Sequence, residues 1–588
     1  MKIQLLLIAV LCMLTCVAQV PMNMICTNPA AEQIMLGNYN PADYLPSQVI
    51  NNPHVIAASL TAALSADSLK SYLETLATFY NRNTYSDTNS TTIGIGATRR
   101  WINSKFGEFS AANENRLLSS YLQFDMDGTA LCGAGQFRDI FAVLPGTDTS
   151  DKSIVIIEGH VDSRCEDNCS GTCMANGIED NGTGTALVME LARVMSHFAF
   201  NRTIVFLVTV GEEQGLFGAD AFARFAVNRG ITIHEVQNND VIGGVVCGKT
   251  ASPPTDCAGE GQVDSSGVRI FSYGTYTMLH KSLARFIKLE YLEESMQFEP
   301  VPMNIHIMTP EDRTGRGGDH IPFRIQGFTA SRLTAQHEHG NANVADTTYT
   351  DRQHTSRDIL GIDTTGDASL DSFYVDFNYL RRNTLINATA SAMAASGPLT
   401  PDFNLLNDSI NGLTVQIASQ QQYNHYRVSV RRIASNYDLD LLFEFSGTTN
   451  YVIPGIKKDS SYFVSVASMD TNNIESLFTA EKHAISLASS SGIGVNEINK
   501  NNLLIFAVNP SPSSEVTIIT LKTDRKINGR TYIQLNNGVG NTIQKIPLDL
   551  GQGFAEITLN THLETGMYFL SLFIEDKFIE SRKLLIIQ

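Results

Sequence analysis

The sequence has few positive charges and no block of basic residues. Its 588 residues include 42 Lys and Arg against 60 Asp and Glu, which gives a formal net charge of −18 and a pI near 5.2. Surfaces that bind nucleic acid concentrate Lys and Arg to neutralise phosphates. The composition therefore argues against a nucleic-acid partner.

Long apolar runs are missing beyond the first 20 residues. The N-terminus, MKIQLLLIAVLCMLTCVAQV, has one Lys and then a short apolar run, which is typical of a secretory signal peptide cleaved near Ala18. A membrane-spanning helix needs about 20 predominantly apolar residues. We therefore predict a signal peptide at 1–19, no transmembrane segment in the mature chain, and a candidate propeptide at 20–53.

Closely spaced CxxC pairs are also missing, although the chain has nine cysteines. Cys12 and Cys16 lie in the predicted signal peptide, and the remaining seven allow up to three disulfides and one free thiol. Cys165, Cys169 and Cys173 are spaced by four in a loop rich in Gly, Asn and Ser, unlike a zinc knuckle. We expect disulfides that staple this loop, with their connectivity left open.

The chain is too long for one hydrophobic core, and about three to five domains are expected. Helical patterning over 54–106 is followed by apolar strands that alternate with helices. The strands are expected at 139–146, 153–159, 203–210 and 240–248, and the helices at 184–198 and 218–230. Strands that are apolar on both faces and separated by helices predict an α/β domain, with a central sheet flanked by helices, over 54–395.

The pattern changes after SGPLTPD at 396–402. Residues 398–487 contain short alternating strands and no helical pattern, which predicts a small all-β sandwich. A Ser-, Gly- and Asn-rich stretch at 488–502 is typical of a linker. Residues 503–588 again alternate and predict a second small all-β sandwich domain.

Histidine and acidic residues of the α/β domain lie at the predicted boundaries of strands and helices. They are His160, Asp162, Asp180, Glu212, Glu213, Asp240 at the head of the predicted strand 240–248, and His354. In open α/β sheets, ligands bind outside the carboxyl ends of the strands, where we expect these groups to meet. Two imidazoles and three carboxylates suit a pair of Zn²⁺ ions about 3.5 Å apart that share a carboxylate. Without cations, so many carboxylates would have raised pKa values and cost stability.

The adjacent pair Glu212 and Glu213 allows a division of labour. Neighbouring residues at the end of a strand point in different directions. One of them can coordinate a metal while the other takes a proton from the attacking water. This is the general base that metal-assisted hydrolysis needs.

Six segments carry a resemblance to a known family. They are GHVDS at 159–163, EDNGTGTALVMELAR at 179–193, VTVGEEQGLFGADAFA at 208–223, NNDVIGG at 238–244, GGDHIPF at 317–323 and QHTSRD at 353–358. Over about residues 55–395 the chain resembles the zinc aminopeptidases with two co-catalytic metals, a family that also contains glutaminyl cyclases and some carboxypeptidases.

The resemblance implies a mixed β-sheet flanked by helices and a role for each site residue. His160 and Asp240 would bind one zinc, Glu213 and His354 the other, and Asp180 would bridge both. Glu212 is the implied general base, and Asp162 the implied partner that fixes the ring of His160. One metal would also help to bind the free amino terminus of the substrate.

The sequence departs from the family pattern in two places. The loop between Asp162 and Asp180 contains three cysteines. The segment RLTAQHEHGN also offers His337 and His339 as rivals to His354. We favour His354, since QHTSRD is similar to the family's final His-Thr-x-x-Asp signature.

The two all-β domains have resemblances of their own. IPGIKKDSSYFVSVAS at 453–468 resembles the late strands of a fibronectin type III module. VNPSPSSEVTIITL at 508–521 and GMYFLSL at 566–572 are similar to C-terminal sorting domains of type IX secretion. The second resemblance implies a secreted or cell-surface protein and the type IX secretion machinery as a partner.

The leading hypothesis is a secreted zinc metallo-exopeptidase, most plausibly an aminopeptidase that acts on peptides or proteins with a free N-terminus. One alternative is a glutaminyl cyclase with a single zinc, and another is a non-catalytic adhesin that binds through its fibronectin-like module. A serine hydrolase is disfavoured because the sequence has no G-x-S-x-G motif.

Overall fold

A computed structural model describes most of the chain. The described residues are 20–247, 261–313, 316–337, 352–490, 504–509, 516–523, 527–538, 541–550, 554–560, 562–574 and 577–586. The predicted signal peptide at 1–19 and most of the predicted linker at 488–502 lie outside these ranges and stay predictions. Among the described residues, no helix has both the length and the apolar composition to cross a bilayer.

Nine helices of the described residues belong to the α/β domain. They are α1 Pro29–Met35, α2 Pro53–Ala63, α3 Ala66–Thr78, α4 Gly94–Ala112, α5 Thr183–Met195, α6 Phe217–Arg229, α7 Leu279–Glu290, α8 His320–Ile325 and α9 Phe377–Ser396. Several begin or end at residues suited to the position. The side chain of Asn52 accepts the N–H of Val55 at the start of α2, and Gly230 ends α6 in the left-handed conformation.

In the part of the chain that the structure describes, one mixed sheet of nine strands forms the centre of this domain. The strands are β1 Met22–Cys26, β2 Leu118–Met126, β3 Gly135–Leu144, β4 Ile154–His160, β5 Thr203–Thr209, β6 Ile233–Asn239, β7 Gly267–Ser272, β8 Asn304–Ile307 and β9 Ala330–Ala335. Their order is β1-β2-β3-β5-β4-β6-β9-β7-β8, and β5, β4, β6 and β9 are parallel neighbours. Every residue of β4 and β5 is buried, as expected for strands covered on both faces. The predicted fold class is confirmed.

The strand predicted at 240–248 is wrong, because the strand lies just before it, at β6. The run after Asp240 begins with buried residues, and Val241 and Ile242 are 2% and 0% exposed. Its backbone makes single hydrogen bonds rather than a strand ladder. The carbonyl oxygen of Val241 accepts the N–H of Ala335 on β9, and side chains accept its first two N–H groups. The N–H of Val241 donates to Asn181 Oδ1, and the N–H of Ile242 donates to Thr183 Oγ1. Asp240 therefore follows a strand rather than heading one.

Residues 22–26, placed outside the α/β domain by the sequence pattern, belong to its sheet. Strand β1 pairs antiparallel with β2, with Met22 opposite Asp125 and Cys26 opposite Leu122. Behind it, Ile34 and Met35 of α1 are buried in the core of the domain. The N-terminal segment thus forms one edge of the central sheet.

A short hairpin of β10 Gly361–Ile362 and β11 Ser372–Phe373 precedes α9, and the remaining strands form two all-β regions. In the first, β12 Phe403–Asp408, β13 Gly412–Ile417 and β16 Asn450–Val452 form one sheet, and β14 His425–Arg432, β15 Leu441–Ser446, β17 Ser461–Met469 and β18 Lys482–Ile485 form another. The two sheets share one core, which includes Val415 and Val428.

The second all-β region is built in the same way. One sheet contains β19 Leu504–Asn509, β20 Val516–Thr523 and β23 Phe554–Asn560, and the other β21 Ile527–Asn537, β22 Thr542–Leu550, β24 Gly566–Ile574 and β25 Lys577–Ile586. Ile519 and Leu570, from opposite sheets, lie in a common core. The additional all-β sheets expected after the α/β domain are therefore present.

A close approach between α5 and β6 generates the first prediction. A Cβ on Gly184 would lie 2.2 Å from the carbonyl oxygen of Asn239 and 2.6 Å from the side chain of Asn181. We expect Gly184→Ala to lower the free energy of unfolding of the α/β domain by about 1–3 kcal/mol, because backbone must move. Denaturant titration measures the change.

The matched control is Gly107→Ala. Gly107 lies within α4, and a Cβ there would have no atom within 4 Å. This substitution should raise the same free energy of unfolding by up to about 1 kcal/mol, since Ala favours the helix. Equal effects of the two substitutions would contradict the close-packing argument.

Candidate metal centre

The side chains predicted to form the site meet at the carboxyl edge of the parallel strands. His160 is the last residue of β4, and Asp240 directly follows β6. Glu212 and Glu213 lie in the turn after β5, and Asp180 lies in the irregular helical turn Ile178–Gly182 before α5. Because β5, β4 and β6 are adjacent and parallel, their ends bring these groups together.

Asp180 lies between two clusters of potential ligands. Its Oδ1 is 3.4 Å from His160 Nε2, which is also 3.3 Å from Asp240 Oδ1. Its Oδ2 is 3.1 Å from His354 Nε2, which is also 3.3 Å from Glu213 Oε2. One carboxylate thus faces both clusters, in the arrangement that the sequence predicted.

The donor set fits zinc in both chemistry and spacing. Ligands at about 2.0–2.1 Å from a tetrahedral Zn²⁺ are separated by about 3.3–3.4 Å from one another. The separations of 3.1–3.4 Å around Asp180 have this size. Glu213 Oε1 is also buried without a hydrogen-bond partner among the described residues. Buried carboxylate oxygens are normally satisfied, so this oxygen fits a cation as its missing partner.

Asp162 connects the ring of His160 to the Glu212–Glu213 turn. The ring nitrogen Nδ1 of His160 lies 3.1 Å from the carbonyl oxygen of Asp162 and 3.5 Å from its carboxylate Oδ1. The two carboxylate oxygens accept the N–H groups of Glu212 and Glu213, each at 3.2 Å. These contacts direct Nε2 of the ring towards Asp180 and Asp240.

The turn that carries Asp180 is held by residues whose role the sequence did not disclose. Asp358 accepts the N–H of Glu179 at 2.9 Å and that of Asp180 at 3.0 Å. Burial raises the pKa of Asp358 to about 7. Buried Arg82 donates to the carbonyl oxygens of Val161 and Gly177, on either side of the loop. The QHTSRD motif contains Asp358, but nothing in the sequence marks Arg82.

A buried arginine also holds Asp240. Arg332 of β9 lies 2.9 Å from Asp240 Oδ2 and 3.0 Å from Asp312 Oδ1. Burial raises the pKa of Asp240, but Arg332 and His160 outweigh it and lower the pKa to about 2. Asp240 therefore stays ionised and offers its Oδ1 to the cluster. Nothing in the sequence indicates this contact, because a single arginine within a strand does not show which carboxylate it will meet.

The carboxylates of the site affect one another's protonation. Burial raises the pKa of Glu212 to about 8, with further contributions from Asp240 and Asp180. Burial and the charge of Asp180 hold the pKa of Glu213 well above its usual range. For His160, burial lowers the pKa, but hydrogen bonds with the surrounding carboxylates raise it well above the usual value. Negative charge is thus concentrated where a divalent cation would relieve it.

The described part of the chain includes one of the two rival histidines, His337. It is buried, and it is in neither of the two groups of potential metal ligands. His339 lies outside the described residues. The two groups are His160 with Glu212 and Asp240, and Asp180 with Glu213 and His354.

One segment of the chain matches a known family model. Residues 139–252 match the sequence model of Peptidase family M28. The matched segment contains six of the seven predicted site residues, all but His354. The match agrees with the predicted family resemblance over this segment.

Curated relatives and solved structures are similar to part of this chain. A probable zinc metalloprotease of Pyrenophora tritici-repentis is 28% identical over 363 residues, which are 58% of this chain and 77% of that protein. A probable zinc metalloprotease of Pyricularia oryzae is 29% identical over 354 residues, 58% of this chain and 67% of that protein. The LapA aminopeptidase of Legionella pneumophila superposes with a TM-score of 0.40 at 18% identity, over 60% of this chain and 76% of that structure. The glutaminyl cyclase of Porphyromonas gingivalis superposes with a TM-score of 0.35 at 16% identity, over 56% of this chain and 98% of that structure.

Zinc binding should release protons from this site. The pKa of Glu212 is raised to about 8, and those of Glu213 and His160 are raised above their usual values, which favours the protonated forms in the metal-free protein. Coordination requires Glu213 and His160 to be deprotonated. We expect net release of protons on zinc binding at pH 6.5, decreasing as the pH rises above about 8. Calorimetric titration of chelator-treated protein with zinc, in two buffers of different ionisation enthalpy, counts them. A binding enthalpy at pH 6.5 that is equal in both buffers would contradict this protonation.

Proposed function

We propose that the chain is a secreted zinc metallopeptidase of peptidase family M28, and that it acts as an aminopeptidase with two zinc ions. The match of residues 139–252 to the family and the kinship with probable zinc metalloproteases support the class of enzyme. The observation that carries the two-metal proposal is the position of Asp180, whose two oxygens face His160 on one side and His354 on the other.

The residues that would hold the metals divide into two half-sites. His160 and Asp240 form one, which we call the His160 half-site, and Glu213 and His354 form the other, the His354 half-site. Asp180 belongs to both. When bound, the zinc pair would supply Lewis-acid chemistry, polarising the scissile carbonyl and lowering the pKa of the attacking water.

In this proposal Glu212 acts as the general base. It belongs to the cluster of His160 and Asp240, and the backbone contacts with Asp162 fix its position at the end of β5. The protein groups alone raise its pKa to about 8. Neighbouring cations would lower this pKa towards neutrality, where a carboxylate is a competent base. Glu212 then takes a proton from the attacking water and delivers it to the leaving amine.

The ends of the chain support a proposal about location. The predicted signal peptide and the similarity of 508–521 and 566–572 to type IX sorting domains favour export by that machinery. The fibronectin type III-like pattern at 453–468 supports a second small module between enzyme and sorting domain. Disulfides at Cys132–Cys169 and Cys165–Cys173 agree with an oxidising compartment.

Replacement of Glu212 tests the role of the base. Glu212→Gln should lower kcat by about 10²–10⁴-fold while zinc content stays near two per chain, because the amide cannot accept the proton but removes no predicted ligand. Zinc is measured by atomic emission and turnover with aminoacyl-nitroanilides. The exposed Glu74→Gln is the matched control, since Glu74 lies on α3 at the surface. Full activity of Glu212→Gln would refute the assignment.

The substrate class is tested by blocking the amino terminus. An aminopeptidase should cleave free aminoacyl-nitroanilides, lose at least 100-fold in kcat/KM on the N-acetylated forms, and lose activity with chelator. A glutaminyl cyclase would instead release ammonia from a peptide with N-terminal Gln and would need one zinc. An inactive, metal-free protein would favour the adhesin hypothesis.

A further inference from the structure

The cysteine-containing loop between β4 and α5 lies against both ligands of the His354 half-site. We define this segment, residues 163–177, as the cystine loop. It contains Cys165, Cys169 and Cys173, and its sequence departs from the family pattern. Two of its side chains, Asn168 and Glu166, contact the segments that carry Glu213 and His354.

Asn168 holds the turn that contains Glu213. Its side-chain amide Nδ2 donates to the carbonyl oxygen of Glu213 at 2.9 Å. In return, the side-chain amide of Gln214 donates to the carbonyl oxygen and Oδ1 of Asn168, both at 3.2 Å. Gln214 is 2% exposed, while Asn168 is partly exposed, so these hydrogen bonds are partly shielded from competing water.

Glu166 holds the loop that contains His354. Its carboxylate Oε1 accepts the N–H of Ser356 at 3.2 Å and the hydroxyl of Ser356 at 3.0 Å. Ser356 is two residues after His354, whose backbone has a φ of +61°. A non-glycine residue in this left-handed conformation needs support from its surroundings.

Two disulfides fix Asn168 and Glu166 in place. Cys165–Cys173 closes the cystine loop on itself, and Cys132–Cys169 ties it to the connection between β2 and β3. The loop also has backbone support on its other side. The side chain of Asn81 donates to the carbonyl oxygens of Ser170 and Cys173. A closed loop of this kind has little freedom to lose when it orders a neighbour.

Among the described residues, neither Asn168 nor Glu166 makes a hydrogen bond to the His160 half-site. His160 is on β4, and Asp240 is held by Arg332 from β9, on the far side of β6. The cystine loop therefore acts on one half-site more than on the other.

We propose that Asn168 and Glu166, fixed by the two disulfides, are positioning residues that shape the His354 half-site and set its zinc affinity. The proposal rests on the proposed zinc function. It adds a structural reason for a difference in zinc affinity between the two half-sites. Contacts behind metal ligands typically account for about 10–100-fold in metal affinity.

The test is a zinc titration against a chromophoric competing chelator, using the full chain. Asn168→Ala, Glu166→Ala and the double variant Cys165→Ser/Cys173→Ser should each weaken one of the two zinc dissociation constants by about 10-fold or more and leave the other within 2-fold. Glu166→Gln should restore most of the affinity, because its amide oxygen still accepts from Ser356. Glu108→Ala, a surface change on α4, should leave both constants unchanged.

A second readout separates positioning from general destabilisation. Cobalt substitution should show an altered visible spectrum for one of two bound ions in Asn168→Ala, while the far-UV spectrum stays the same. Equal weakening of both constants, or no weakening in any variant, overturns the proposal. If the unaltered protein binds no zinc, the proposed function itself fails, which is a distinguishable result.

Discussion

Repulsion among buried carboxylates is the constraint on which the site depends. Four carboxylates lie at one end of a buried sheet: Asp180, Glu212, Glu213 and Asp240. Imidazoles and Arg332 neutralise their charge only in part. Burial, and after it the charge of the neighbouring carboxylates, raises the pKa values of Glu212 and Glu213. A structure that gathers acids in this way is built for cations, since otherwise it would be more stable with fewer of them.

The sheet provides the rigidity that such a gathering requires. Strands β4, β5 and β6 are buried and parallel, and each delivers a site residue at or just beyond its carboxyl end. The partners behind these residues come from distant parts of the chain: Asp358 holds the Asp180 turn, and Arg332 holds Asp240. Displacement of a ligand thus requires movement of packed elements, not only of a loop.

Much of this arrangement could be predicted from the sequence, because the end of a buried strand is visible as the end of an apolar run. A buried apolar run that stops at a polar residue fixes the position of His160 and of Glu212. The same logic misplaced the strand near Asp240, because burial produces an apolar run whether or not the backbone pairs. The roles of Arg332 and Arg82 could not be predicted, since a single arginine carries no signal of which distant carboxylate or carbonyl it will meet. For Asn168, the contact depends on disulfide connectivity, which spacing alone leaves open.

Strand β1 has a consequence for the maturation of the chain. It covers the outer side of β2, so that the N–H and C=O groups on that side find partners within the same molecule. Removal of the segment 20–53 would expose the edge of β2, with which a strand of another chain could then pair. It would also remove the apolar residues Ile34 and Met35 from the core. Its loss would therefore cost the α/β domain both an edge strand and part of its core.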